Sequence, residues 1–190
     1  METMQSPILE TSRLTIRLAT SKDAPAVVSY FSTNLEHLRY SNPIFPGSIL
    51  TKEHWLEKIE QNIADYNNDK AVRFFLFSKT GADVIGTVNF SQIFRGGFQA
   101  CYLGYGLDQD LQGQGYMHEA LQEAINFIFG PMNLHRIMAN HMLSNARSAN
   151  VLKRLGFQVE GLAKDYLMLN GKWEDHVLTS LTNTGWAQIQ

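Results

Sequence analysis

Between Leu107 and Leu121 the chain reads LDQDLQGQGYMHEAL. Gly113 and Gly115 flank Gln114 directly before an apolar-periodic run. A turn needs one glycine, whereas two at this spacing let the backbone itself approach a ligand. A helix opening at Tyr116 would leave its first N–H groups without partners and would present the end of its dipole that favours anions. The backbone from Gly113 to Met117 is therefore expected to cradle a phosphate or pyrophosphate. No Gly-Lys-Ser/Thr follows, so this is not a P-loop. Tyr116, Met117 and His118 follow Gly115, so the third glycine of a dinucleotide fingerprint is missing. A glycine loop that only caps a core helix is the competing reading.

The elements around the loop can be read from periodicity. RLTIRLA, from Arg13, alternates as a half-buried strand does. Ser21 is expected to cap a first helix running to about Asn34, and Thr51 a second ending near Asn67 and Asn68. Val72–Ser78 and Asp83–Gln92 read as a hairpin turning at Thr80 and Gly81, with Gln99–Leu107 the next strand. After the loop, Met117, Ala120, Leu121, Ala124, Ile125, Ile128 and Phe129 form one helical stripe, stopped by Gly130 and Pro131. Leu134–Met142 reads as a strand, and NARSANVLKRLGF as a helix stopped at Gly156. Asn170–Gly171 is a strong hairpin signal between the last two strands. The fold class is α/β (mixed α+β), with seven strands in one mostly antiparallel sheet and four helices. Only the middle β-α-β stretch suits a parallel crossover.

Composition bounds the function. The 190 residues are 44% hydrophobic and 18% charged, with a net charge of −2 and one cysteine. This is the balance of one globular domain, here residues 1–190, with a core large enough to need no disulfide. Cys101 can form no internal disulfide, which suits a reducing cytoplasm, and it reads as a core thiol. No leader-like or membrane-length apolar run is apparent. A near-neutral charge argues against direct nucleic-acid binding through a basic surface. His135 and His141 are about 20 Å apart along one strand, too far to share a metal, and HEAL lacks the second histidine of a zinc helix. No metal is expected.

The spacing Gln112-x-x-Gly115 between a strand and a helix resembles the acyl-coenzyme A loop of the GNAT N-acetyltransferases. LETSRLTIRL, LGYGL, NARSANVLKRLGF and EGLAKDYLMLNGKWEDHVLTSL extend the resemblance from about Leu9 to Thr182. ACYLGY, HRIMANHM and EGLAKDYL resemble the branch that acetylates ribosomal proteins at an N-terminal alanine. One departure is Met117, where the general motif has Gly or Ala; its side chain is expected to face inward and spare the backbone.

The resemblance implies acetyl-CoA as cosubstrate, held by Gln112, Gly113, Gln114, Gly115, Tyr116 and Met117. It implies an oxyanion-binding N–H at or beside Leu107, which would also touch the cofactor. Asn145 would contact the pantetheine arm, although an asparagine before a helix is more often its cap. Ser148 would be the acid for the leaving thiol, with Tyr166 as an alternative. Asn150, Lys153 and Arg154 could reach the cofactor or form a solvated face. Glu160, Asp165, Glu174 and Asp175 are the candidate bases. The implied acceptor is the N-terminus of a small-subunit ribosomal protein, and association with the ribosome is compatible with it. A polyamine or aminoglycoside acceptor, and a non-catalytic coenzyme A-loaded assembly factor, are the alternatives. An acidic groove would favour the polycations; a narrow slot between the first two helices and the last hairpin would favour a peptide terminus.

Overall fold

The computed structural model describes residues 6–81 and 83–187. Its strands are β1 (Ile8–Glu10), β2 (Leu14–Arg17), β3 (Val72–Ser78), β4 (Val84–Phe94), β5 (Ala100–Leu107), β6 (Arg136–Met142), β7 (Gln158–Leu169) and β8 (Lys172–Thr182). Its helices are α1 (Ala24–Arg39), α2 (Lys52–Asn67), α3 (Tyr116–Phe129) and α4 (Ala146–Arg154). One eight-stranded sheet runs in the order β1-β2-β3-β4-β5-β6-β8-β7, and only β5–β6 is parallel. Eight strands replace the expected seven because LETSRLTIRL folds on itself: Ile8 pairs with Arg17 and Glu10 with Thr15.

The α3 boundaries coincide with its apolar stripe, because a left-handed glycine at its head and Gly130 at its tail punctuate it locally. The first helix differs from expectation. Ser21–Asp23 is a short 3-10 turn capped by Thr20, and the α-helix proper begins at Ala24 and runs on to Arg39. Asp23 turns back to the Thr20 N–H and pairs with Arg17, which fixes that entry turn. Thr51 caps α2, accepting the His54 N–H at 3.3 Å. Asn170 and Gly171 both take positive φ, as a type I′ hairpin requires.

The helices divide the core between the two sheet faces. Phe75, Phe77, Val27, Phe31 and Trp55 are buried together beneath α1 and α2. Phe74, Leu76, Leu121, Ala124 and Ile128 belong to the larger core beneath α3. Alternation along β3 therefore feeds both faces, and its near-continuous apolar run reflects burial on both sides.

Candidate active site

The sheet is split at its parallel junction. β5 and β6 pair only at Ala100–Arg136, Cys101–Ile137 and Tyr102–Met138. Beyond these rungs β5 pairs with β4 alone and β6 with β8 alone. The Asp108 N–H donates to Ile85 O on the β4 side at 2.8 Å. Strand alternation then points the backbone groups of Leu103, Tyr105 and Leu107 into the gap. The Leu107 carbonyl lies 3.2 Å from His37 Nε2, and that nitrogen lies 2.8 Å from the Gln112 carboxamide. His37 thus joins α1 to both the end of β5 and the glycine loop.

The loop lies at the mouth of this gap. Gly113 and Gly115 have φ of +75° and +84°, in the left-handed region that a side chain strains. Nothing stands within 4 Å of the space a Cβ on Gly113 would take. A cavity of about 320 Å³ is lined by His37, Gln109, Asp110, Gln112, Gly113 and Arg147. Arg147 and the open Gly113 backbone suit a polyanionic phosphate ester, with the N-terminus of α3 a few residues further on, while the Asp110 carboxylate in the same lining opposes one. Met117 is buried in the core, away from the loop surface.

The loop is braced from Arg13, the residue before β2. Arg13 Nε donates to Glu119 Oε2 at 2.7 Å, its backbone N–H to Oε1 at 3.0 Å, and its Nη1 to Gln114 O at 3.0 Å. The guanidinium also stacks 4.0 Å over the Tyr116 ring. Burial opposes the charge on Glu119, but the Thr11 and Ser12 hydroxyls and Arg13 outweigh it and hold the carboxyl at about 2. A depressed carboxyl adds stability above its unfolded pKa, which is lost as pH falls through the folded value. Between pH about 4.5 and 2, therefore, the brace should release. Glu119→Gln should lower stability by about 1.5–3 kcal/mol at pH 7, with a smaller penalty near pH 2. Thermal melts across pH check this; an equal penalty at both ends contradicts it.

On the far wall of the gap, Asn145 accepts the Ser148 N–H at 3.1 Å and caps α4. Ser148 Oγ and Tyr105 Oη lie 2.7 Å apart, joining α4 to β5 across the gap. Burial pushes the Tyr105 hydroxyl up to about 12 against the pull of that bond, so it stays protonated at neutral pH. Tyr105, like His37 and Arg147, escaped sequence reasoning. Its one trace was its place between two glycines in LGYGL.

The remaining candidates lie elsewhere. Asn150, Lys153 and Arg154 are on the exposed side of α4. Asp165 is exposed in a β7 bulge with φ +46°. Tyr166 accepts from Asn140 at 3.1 Å. Glu160 pairs with Arg136, Asp175 with Lys164 and Glu174 with Lys172. None of these residues lines the loop cavity or the cavity beneath α1 and α2. Cys101 is buried, and burial raises its thiol to about 12, against a nucleophilic role. Among the described residues no three His, Cys, Asp or Glu side chains are placed to hold a metal. No described helix is long and apolar enough to cross a membrane.

The second cavity, of about 330 Å³, meets the gap at Tyr105 and Gly106. It lies under α1 and α2, as expected for an acceptor slot, but its other wall is β3–β5 and not the last hairpin. Two cross-strand rungs form its floor: Phe75–Thr87–Gly106 and Arg73–Asn89–Gly104. A Cβ on Gly104 would meet nothing within 4 Å, so this glycine leaves the floor open.

A split sheet with a glycine loop at its mouth defines an acyl-CoA-dependent acyltransferase, and the chain belongs to the GNAT acetyltransferase family, whose domain model matches residues 13–158. The family uses acetyl-CoA as acyl donor. Among relatives, the chain is 42% identical over 178 residues to the ribosomal protein uS5-alanine N-acetyltransferase of Escherichia coli, covering 94% of this chain and 92% of that one. The crystal structure of a ribosomal-protein alanine acetyltransferase from Vibrio fischeri superposes with a TM-score of 0.92 at 39% identity, covering 96% and 100% of the two chains. RimL, a ribosomal alpha-N-protein acetyltransferase solved with coenzyme A, gives a TM-score of 0.84 at 25% identity, covering 93% and 98%.

Proposed function

We propose that this protein acetylates the N-terminal α-amine of a ribosomal protein, alanine above all. The charge of the acceptor cavity carries the choice among acceptors. Its one carboxylate, Asp65, is paired with Arg73 at 2.5 Å, and Lys58 also lines it. A polyamine or aminoglycoside would find no acidic groove there. A peptide terminus would find an aromatic wall and polar side chains on the floor. The similarity to ribosomal-protein alanine acetyltransferases supports the same choice.

Acetyl-CoA supplies the acetyl group as a thioester. The chain's own residues then have four tasks. The backbone from Gly113 to Met117, with Gln112 and Arg147, holds the phosphates. The Leu107 N–H, aimed into the gap, receives the negative charge that develops on the carbonyl oxygen. Ser148, backed by Tyr105, hands a proton to the sulfur as the carbon–sulfur bond breaks. The nitrogen, having formed the amide, loses its proton to water. No base need be strong, because an α-amine with a pKa of about 8 is already roughly one-tenth neutral at pH 7. Asn145 keeps α4 capped beside the pantetheine arm. Asn150 and Lys153 would contribute only through the outer, solvated parts of the cofactor. Tyr166 and Asp165 would act only on acceptor residues beyond the first. Work in the cytoplasm, and docking on the ribosome without direct sequence-specific nucleic-acid contacts, complete this reading.

The test is thiol release with acetyl-CoA and four acceptors: a free N-terminal alanine peptide, its blocked counterpart with an internal lysine, spermidine and an aminoglycoside. The free-alanine peptide should be fastest, and its rate should rise with pH and level off near 8. Preference for spermidine or the aminoglycoside would overturn the peptide assignment. Absence of thiol release with every amine, ribosomal proteins included, would favour a coenzyme A-loaded assembly factor.

A further inference from the structure

The acceptor cavity contains a hydroxyl with nothing to bond. Tyr30 is 3% exposed, and its Oη has no hydrogen-bond partner among the described residues. The ring lies on α1, lines the cavity and stands directly over Gly106, where a Cβ would come within 3.2 Å of the hydroxyl. Gly106 precedes Leu107, whose N–H faces the gap. Asp108, whose charge acts on the phenol, is committed elsewhere: its carboxylate accepts from Asn34 Nδ2 at 2.9 Å and from the Asp110 N–H at 2.9 Å. A buried donor without a partner is costly, and phenylalanine would fill the same space without that cost.

A second side chain in the cavity is also free. The Asn89 carboxamide, half-buried beside Gly104, makes no hydrogen bond among the described residues. Its rung is two residues from the Gly106 rung, about 7 Å along the strand. That is also about the distance from the α-amine of an extended peptide to its second peptide group.

We infer that the Tyr30 hydroxyl is reserved for the reacting amine of the acceptor and the Asn89 carboxamide for the peptide group two residues on. This rests on the acyl-transfer reading above and names the groups that grip its substrate. The phenol oxygen accepts one amine hydrogen and leaves the nitrogen lone pair turned toward the gap. Burial, and then the nearby Asp108 charge, raise the phenol far above its usual range, so it orients the amine without deprotonating it.

Tyr30→Phe and Asn89→Ala separate the two contacts from each other and from the fold. The acceptors are alaninamide, which lacks the second peptide group, and an alanine-initiated peptide. Tyr30→Phe should raise the KM of both acceptors about three- to tenfold, the worth of one neutral hydrogen bond, with the acetyl-CoA KM unchanged. Its melting temperature should equal or exceed that of the wild type. Asn89→Ala should raise the KM of the peptide alone. Unchanged acceptor constants in Tyr30→Phe overturn the inference, and so does a lowered melting temperature with unchanged kinetics, which would give the hydroxyl a structural partner. If the wild type turns over spermidine and not the peptide, the α-amine reading fails, but Tyr30→Phe is measured on spermidine with the same criterion. A wild type that releases no thiol with any amine overturns both.

Discussion

Gly115→Glu should abolish acetyl-CoA binding while the protein remains folded. Gly115 heads α3 with φ +84°, so any side chain there carries a left-handed strain of about 1–2 kcal/mol. The added Cβ would come 3.5 Å from Arg13 Nη2, ordinary contact, so the Cβ itself makes no clash. The carboxylate would compete for Arg13 and place a negative charge where the unpaired N–H groups of the helix invite one from the ligand. The apolar stripe of α3, with Leu121, Ala124 and Ile128 buried, is untouched, so the fold should hold. Calorimetry on the folded variant should show no detectable cofactor binding. Wild-type affinity would remove the loop from the cofactor site.

Ser148→Ala should lower kcat by about 10²- to 10⁴-fold, the usual worth of a general acid, with little change in the acetyl-CoA KM. The substitution leaves the α4 cap intact, because Asn145 accepts the backbone N–H of residue 148 and not its hydroxyl. Tyr105→Phe should cost less, since it removes the partner that orients the serine. If Ser148→Ala keeps near-full turnover at saturating substrate, the acid is Tyr105 itself. It is better placed for this than Tyr166, which lines neither cavity. Steady-state kinetics on the two single variants and the double variant distinguish these cases.

The loop end of the candidate site, with its helix, was legible in the sequence because its signals are local. Two glycines, an apolar stripe and a Gly-Pro stop lie within one short stretch, and Asn145 precedes its helix as caps do. The acceptor half was not. Its floor is made of residues from three strands that become neighbours only through register: Arg73 beside Asn89, and Asn89 beside Gly104. Tyr30 reads in sequence as one more apolar position of an amphipathic helix, and nothing in the order of residues shows that its hydroxyl lacks a partner. The carboxylates of the last hairpin read as candidate bases because charge in a family-like segment invites that role. Arg136 and Lys164 hold Glu160 and Asp175 below their usual range in surface pairs.

Only three rungs join the two halves of this sheet, so mechanically it is two plates on a short hinge. Beyond the rungs, the halves are tied by the α3 crossover, by a shared core and by bonds such as Tyr105–Ser148 at 2.7 Å and Tyr40–Ser144 at 2.8 Å. A molecule wedged between the plates bonds only to the assembled protein, and the unfolded chain offers it no equivalent seat. Mass action then makes the cofactor a stabiliser of the fold, worth about 2.7 kcal/mol at a hundred times its dissociation constant. Resistance to heat and proteolysis should therefore rise with the concentration of acetyl-CoA.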